Sequence, residues 1–143
     1  MLQSGYRYAL ALTHHTQDAE DFVQEAWLNL SRRYGGVTSR AVLFTAIRNL
    51  FIDRCRRLKV VGFELLDDNY KSEAGPPLGA GAKDDLERLL QTLRPAEREA
   101  IFLHHIEGRT AEEIGSLTRR PRNTVLSLLH RAFQKLQRAK DVA

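Results

Sequence analysis

Polar side chains recur along one face of residues 122–138, at a spacing that suits recognition of nucleic acid. If this segment is a helix, residues three or four apart share one side. Hydroxyl, amide and imidazole groups pair with base edges, and arginine pairs with phosphates or guanine. The candidate contacts are Asn123, Thr124, Ser127, His130 and Arg131, preceded by Arg119, Arg120 and Arg122. The pattern favours binding to DNA, with an ordinary helical hairpin and a solvated polar face as the alternative.

The apolar residues nearby predict the elements that position this face. A short stripe comes first, at Ala111, Ile114 and Leu117, and a longer one follows, at Val125, Leu128, Leu129, Ala132 and Leu136. Between them Pro121 lacks an amide donor and disfavours helical geometry at Arg120, so the first helix must end there. Two helices joined by the turn Thr118–Pro121 predict a helix-turn-helix.

A second basic group lies on a predicted helix that Thr38 or Ser39 begins and that runs to about Leu58. Its inward residues are predicted to be Val42, Leu43, Ala46, Ile47, Leu50 and Phe51. The polar remainder comprises Arg40, Arg48, Asn49, Asp53, Arg54, Arg56 and Arg57. Arginines beside aromatic rings suit a single-stranded nucleic acid, which needs phosphate partners and stacking surfaces. A favourable interaction with the helix dipole is the simpler explanation of the basic end.

A mixed acidic and apolar strip lies on the helix predicted from Thr16 or Gln17 to about Arg33. Its members are Asp18, Asp21, Gln24, Glu25 and Leu28. The opposite stripe, predicted to face the core, is Ala19, Phe22, Val23, Ala26, Trp27 and Leu30. Acidic residues in a first turn stabilise the positive end of a helix. The strip also suits a basic helical partner.

The remaining pattern predicts an all-α chain of two small helical domains joined by a flexible linker. Residues 1–58 form the first domain, whose first helix, Leu2–Thr13, presents Tyr6, Ala9, Leu10 and Thr13 on one face. Residues 59–82 lack periodicity and are rich in turn formers, as a linker is. Residues 83–143 form the second domain. Before its helix-turn-helix it has a helix capped by Asp84 or Asp85 and another that Pro95 opens and Gly108 ends. The latter is predicted to bury Ala100, Ile101, Leu103 and Ile106.

Composition narrows the functional classes. The three segments carry net charges of +3, −2 and +3, which suits a nucleic-acid partner. One cysteine, Cys55, excludes an internal disulfide and a cysteine-based zinc site; it is predicted to pack in the core, with redox sensing as the alternative.

The adjacent histidines at 14–15 and 104–105 point apart on a helix, so we expect polar helix ends and no metal. No catalytic constellation or phosphate loop is present, so neither an enzyme nor a cofactor is predicted. Without a long apolar run or signal peptide, the protein is expected to be soluble and cytoplasmic.

Three stretches together resemble the bacterial sigma factors of the extracytoplasmic-function (ECF, group 4) type. DAEDFVQEAWLNL is similar to the helix that binds the polymerase clamp. FTAIRNLFIDRCRR is similar to the helix that handles the melted −10 element. LRPAEREAIFLHHIEGRTAEEIGSLTRRPRNTVLSLLHRAFQKL is similar to the domain that binds the −35 element. Their order, with a non-periodic linker between them, makes the resemblance specific.

The resemblance implies a promoter-specificity subunit of RNA polymerase without catalysis of its own. The acidic strip would contact core polymerase. The loop Tyr34–Arg40 and the basic group would hold the melted non-template strand, with one −10 base extruded into a protein pocket. The helix starting at Arg122 would read duplex DNA at the −35 element, and the linker would thread the polymerase cleft. Many relatives are also silenced by an anti-sigma protein, so such a partner is expected.

Three departures from the family pattern stand out. Relatives usually have a tryptophan where this chain has Val42-Leu43, and basic residues where Leu126 and Leu128 stand. Gly115 replaces a small alanine, which lowers helix propensity mildly. The rival interpretation is a stand-alone helix-turn-helix regulator, which would share the second domain. It would require a dimer surface or a receiver domain with alternating strands.

Overall fold

The computed structural model describes residues 1–58 and 91–142, with side chains up to residue 138. The chain divides into two compact units, and each is described by itself. The predicted linker, residues 59–82, and the start of the helix predicted from Asp84 or Asp85 lie outside the described residues. All regular elements in the described ranges are helical, which confirms the predicted all-α class.

Over residues 1–58, the first unit has three helices: α1 (Leu2–Thr13), α2 (Thr16–Tyr34) and α3 (Arg40–Arg57). Each boundary has a local cause. The Nδ1 atom of His15 accepts a hydrogen bond from the amide of Asp18 at 3.2 Å and caps α2. Gly35 ends that helix at φ 76°, a conformation that glycine adopts without strain. The Ser39 hydroxyl accepts from the amide of Val42 at 3.2 Å and caps α3, as the sequence predicted.

Aromatic contacts organise the core of this unit. The rings of Tyr8 and Phe44 stack at 4.6 Å between centroids, and Phe22 meets Phe51 edge-on at 6.1 Å. Helix α1 approaches α3 closely at Gly5, where an added Cβ would lie 2.7 Å from Cδ2 of Leu43. Since α3 contacts both α1 and α2, it buries a wider face than a single stripe.

Two predicted faces in this unit were partly wrong. Helix α1 buries Gly5, Tyr8, Ala9 and Leu12, so Ala9 of the predicted face is buried, whereas Tyr6, Leu10 and Thr13 are only half-buried. Its direction is set by the stack on Phe44. Helix α3 buries Leu43, Phe44, Ile47, Arg48, Phe51 and Cys55, whereas Val42 is exposed and Ala46 and Leu50 are half-buried. The predicted stripe lay to one side of the true one because it counted a single partner helix.

The second unit has helix α4 (Pro95–Ile101), which continues as a π-helical turn over Phe102–Ile106, then α5 (Ala111–Thr118) and α6 (Arg122–Val142). Pro95 occupies the first turn of α4, and the Glu97 carboxylate accepts from the amide of Arg94 at 2.9 Å. The π-helical turn adds a residue and rotates the side chains that follow. Ile106 is therefore exposed, opposite to the prediction. Ile101, also predicted to be buried, is half-buried, and Phe102 at the start of the turn is buried.

The helix-turn-helix is confirmed at α5 and α6, with a turn of residues 119–121. A capping box begins α5, since the hydroxyl of Thr110 accepts from the Glu113 amide at 3.1 Å and the Glu113 carboxylate accepts from the Thr110 amide at 3.0 Å. These bonds lower the pKa of Glu113. The cap is therefore intact at neutral pH and is lost as the pH falls through that lowered value. The predicted stripe of α6 is buried at Val125, Leu128, Leu129 and Ala132.

Gly115 permits a close approach between α5 and the turn. A Cβ at this position would lie 2.6 Å from the carbonyl oxygen of Arg120, a backbone atom that cannot rotate away. We expect Gly115→Ala to destabilise the unit by about 1–3 kcal/mol, the usual range for overpacking, despite the better helix propensity of alanine. Denaturant unfolding measures the change. Ser116→Ala, at the exposed next position, is the control and should not destabilise. Equal stability of Gly115→Ala and the native protein would contradict the expected clash.

Candidate nucleic-acid interface

The predicted recognition face lies on the solvent side of α6. Asn123, Ser127 and His130 are exposed, and Thr124 and Arg131 are half-buried at its edge. The Nε atom of Arg131 donates to the carbonyl oxygen of Ser127 at 3.3 Å. Leu126 is exposed next to these polar groups. The face therefore combines hydrogen-bonding side chains with one apolar side chain, a mixture that can contact base edges and a thymine methyl group.

Two of the three arginines at the start of α6 are exposed, and one is not. Arg122 is exposed, with its Nε atom 3.7 Å from a carboxylate oxygen of Glu112. Arg119 is exposed and ends α5 in the left-handed region at φ 58°. The side chain of Arg120 is only 14% exposed, and its Nη1 atom lies 2.9 Å from Oε1 of the fully buried Glu99. The guanidinium of Arg120 therefore already has a partner inside the domain, and its contact with DNA stays a prediction.

A cavity of about 790 Å³ lies between the end of α2, the following loop and α3. Two residues of the predicted strand-binding set, Asn49 and Asp53, line it. Other polar lining residues are Asn29, Arg33, Tyr34, Thr38 and Thr45, and the apolar lining includes Ala26, Leu30, Val42, Ala46 and Leu50. The cavity therefore offers apolar walls for a planar ring and several hydrogen-bonding groups, the combination that recognises an unstacked base.

Asn29 and Arg33 are candidate site residues that the sequence analysis missed. They are four residues apart near the end of α2, so they share one side of the helix and line the same cavity. The sequence shows their spacing of four residues just before Gly35-Gly36, but no local pattern links them to Asn49 on α3. They add an amide and a cation to the side of the cavity opposite α3.

The other strand-binding candidates are dispersed around α3. Arg48 is only 8% exposed, so it belongs to the packed side and not to an exposed arginine surface. Nη1 of Arg54 lies 3.3 Å from Oδ1 of Asp18, and its guanidinium stands 4.2 Å above the ring of Phe22. Arg57 pairs with Asp53. Arg40 and Arg56 are exposed.

Four of the five residues of the predicted acidic strip on α2 are exposed, and the exception is the first of them, Asp18. Asp21, Gln24, Glu25 and Leu28 are all exposed on the side of α2 away from the core. Gln17 donates to the Asp21 carboxylate at 3.1 Å. Asp18 is turned toward Arg54 and His15 and is only partly available to a partner. The exposed strip therefore begins at Asp21.

The structure also bears on three further roles considered for this chain: redox sensing, metal binding and insertion into a membrane. Burial raises the pKa of Cys55 to about 11, partly opposed by the charge of Arg54. Its thiol is therefore protonated and unreactive at neutral pH, as expected for a packing residue. Among the described side chains, in residues 1–58 and 91–138, no three potential ligands gather to hold a metal ion. In the same ranges, no helix combines the length and apolar character needed to cross a bilayer.

Two family descriptions match separate stretches of the chain. The family description "Sigma-70 region 2" matches residues 2–60, and "Sigma-70, region 4" matches residues 83–136. The two matches together span most of the chain, and we call residues 2–60 region 2 and residues 83–136 region 4 after them. Region 2 thus contains α1–α3 with the cavity and the acidic strip, and region 4 contains the helix-turn-helix with its recognition face.

Individual relatives are also sigma factors. The ECF RNA polymerase sigma factor SigE of Mycolicibacterium smegmatis is 34% identical over 92% of this chain, which spans 55% of that relative's length. The RNA polymerase sigma-E factor of Streptomyces avermitilis is 28% identical over 92% of this chain and 75% of the relative. Among solved structures, the sigma factor RpoE in complex with the anti-sigma factor NepR from Bartonella quintana is similar, with a TM-score of 0.74, 25% identity, and coverage of 99% of this chain and 92% of that one.

Proposed function

We propose that the protein is an RNA polymerase sigma factor of the ECF, group 4 type. It recruits core polymerase to specific promoters and recognises their −10 and −35 elements. The observation that carries this proposal is the presence of regions 2 and 4, in that order, in one chain. Under this proposal the protein has no catalytic site and acts in the cytoplasm, where the bacterial chromosome is transcribed.

Region 2 docks on core polymerase through the exposed strip Asp21, Gln24, Glu25 and Leu28. Three polar side chains and one leucine suit a basic helical surface with apolar side chains among its charges. Asp18 contributes less because Arg54 and His15 already surround its carboxylate. The strip lies on the opposite side of α2 from the residues that pack in the core, so docking does not require region 2 to unfold.

Region 2 also holds the melted −10 element at its cavity. Extruding a base from the duplex costs a few kcal/mol, which a pocket recovers through hydrogen bonds and contact with the ring. Asn49 and Asp53 on one wall and Asn29 and Arg33 on the other supply the polar groups. Exposed Arg40 and Arg56 supply charge for the adjoining phosphates.

Region 4 reads the −35 element with the exposed face of α6. Base contacts are assigned to Asn123, Ser127 and His130, and Arg119 and Arg122 contact phosphates at the entrance of the helix. Thr124 and Arg131 lie at the edge of this face. An anti-sigma protein is the proposed regulatory partner, supported by the relative RpoE, whose structure contains the anti-sigma factor NepR.

Removing Arg122 is expected to weaken binding to duplex DNA and to lower the slope of log affinity against log salt by about one phosphate. Substituting Ser127 or His130 by alanine should instead change the preferred −35 sequence, at about 1–3 kcal/mol for each base contact. Binding of holoenzyme to upstream duplexes at several salt concentrations measures both effects. Arg138→Ala removes the same charge about 24 Å farther along α6 and is the control. If Ser127→Ala and His130→Ala both leave the preference unchanged, the base-reading face is placed wrongly.

A stand-alone helix-turn-helix regulator is the alternative function, and it leaves region 2 without a role. Affinity purification of the tagged protein from its own cells separates the two functions. A sigma factor retains the subunits of core RNA polymerase in stoichiometric amount. A regulator retains none after DNA has been removed by nuclease.

A further inference from the structure

Two buried carboxylates on α4 face the helix-turn-helix. Glu97 and Glu99 are 1% and 0% exposed. A carboxylate so removed from water is strongly destabilising unless a cation or several donors compensate its charge. Oε1 of Glu99 lies 2.9 Å from Nη1 of Arg120, and Oε1 of Glu97 lies 2.7 Å from Nζ of Lys135. Both cations belong to the part of region 4 that carries the recognition face.

The two ion pairs are far apart along the recognition helix. Arg120 lies in the turn immediately before α6, and Lys135 lies in its fourth turn. From Arg122 to Lys135 the helix rises about 20 Å. Two attachment points at this separation determine the direction of the helix axis relative to α4. The apolar seam between them, at Val125, Leu128 and Leu129, supplies contact area but few directional constraints.

We propose that Glu97 and Glu99 are positioning residues for promoter recognition, which hold α6 at the orientation that base reading requires. The inference rests on the proposed function of region 4. It explains why a domain with an adequate apolar seam retains two buried ion pairs, which are poor sources of net stability compared with apolar residues of similar size. Functional groups must be held to within about 0.5 Å and 10–20° to act. Paired charges with fixed donors provide that restraint.

The test replaces each ion pair by apolar or neutral side chains that keep the volume. One variant combines Glu99→Leu with Arg120→Met. The other combines Glu97→Gln with Lys135→Met and keeps an acceptor for the amide of Arg94. Transcription by holoenzyme is compared on two templates, one with the preferred −35 element and one with a single base pair of that element changed. We expect the ratio of the two rates to fall about tenfold in each variant, the size of one good base contact.

The ratio distinguishes positioning from a purely structural role. A loss of folded protein lowers transcription from both templates equally and leaves the ratio at its native value. Lys135→Arg keeps the pair with Glu97 and should keep the native ratio. If both double variants are folded by circular dichroism and keep the native ratio, the inference is wrong. If the Glu99→Leu, Arg120→Met protein does not fold, the Glu97→Gln, Lys135→Met protein decides alone, because the Lys135 side chain is partly exposed.

Transcription by the native holoenzyme distinguishes a failure of this inference from a failure of the proposed function. Promoter-dependent transcription by the native holoenzyme, together with an unchanged ratio in the variants, overturns only the positioning role. Absence of promoter-dependent transcription in the native protein overturns the proposed function and the inference with it.

Discussion

Replacing Asp21 and Glu25 by arginine is expected to abolish association with core RNA polymerase. Both side chains are exposed on the outer side of α2, next to Gln24 and Leu28. Reversing both charges places cations against a basic partner surface, and like charges brought together at an interface cost several kcal/mol. A loss of about 4 kcal/mol weakens binding roughly a thousandfold. Co-purification with core polymerase and a binding titration measure the effect.

The control for this double variant is Glu20→Arg. Glu20 is an exposed acid of the same helical region, about 100° around α2 from Asp21. The Glu20→Arg substitution should reduce polymerase binding only slightly. All variants should keep the native helical content, because none of the three side chains is buried. Native affinity in the Asp21→Arg, Glu25→Arg protein would refute the assignment of this strip to polymerase.

Removing the polar walls of the region 2 cavity is expected to impair promoter opening. Arg33→Ala with Asn49→Ala takes one group from each wall. If each provides a contact to the extruded base or its phosphate, at about 1–3 kcal/mol, transcription from fully paired template should fall about tenfold or more. On a template already unpaired at the −10 element, the cost of unstacking is absent and the defect should be smaller.

Arg32→Ala is the matched control for the cavity variant. Arg32 and Arg33 are adjacent exposed arginines in the last turn of α2, but only Arg33 lines the cavity. Arg32→Ala should retain transcription on both templates. An equal defect on paired and pre-opened templates in the Arg33→Ala, Asn49→Ala protein would place the base elsewhere.

Local patterns predicted the helix-turn-helix well because the buried residues of each helix repeat at short helical spacing. Val125, Leu128 and Ala132 repeat at helical spacing, and all three are buried on one side of α6. Capping residues were also recognisable, since Ser39 and Gly35 act within three or four residues of their own positions. Such features depend on residues three or four positions apart, so they can be recognised from the sequence alone.

The errors occurred where distant residues decide the outcome. The pairing of Arg120 with Glu99 was not predicted, because Glu99 lies 21 residues earlier in the chain. Ile106 was predicted to be buried by regular helical spacing, which the π-helical turn interrupts. The cavity combines α2, a loop and α3, so Asn29 and Arg33 had no local pattern that linked them to Asn49.

Transcription in vitro with purified core polymerase tests the central proposal most directly. The free protein should bind promoter duplex weakly, because a single small DNA-binding module buries only about 600–1,000 Å². With core polymerase added, we predict initiation at one position downstream of a cognate −35 and −10 pair, and none on a template with both elements scrambled. Tight, specific binding of duplex by the protein alone, with no initiation when core polymerase is present, would contradict the account and favour the stand-alone regulator.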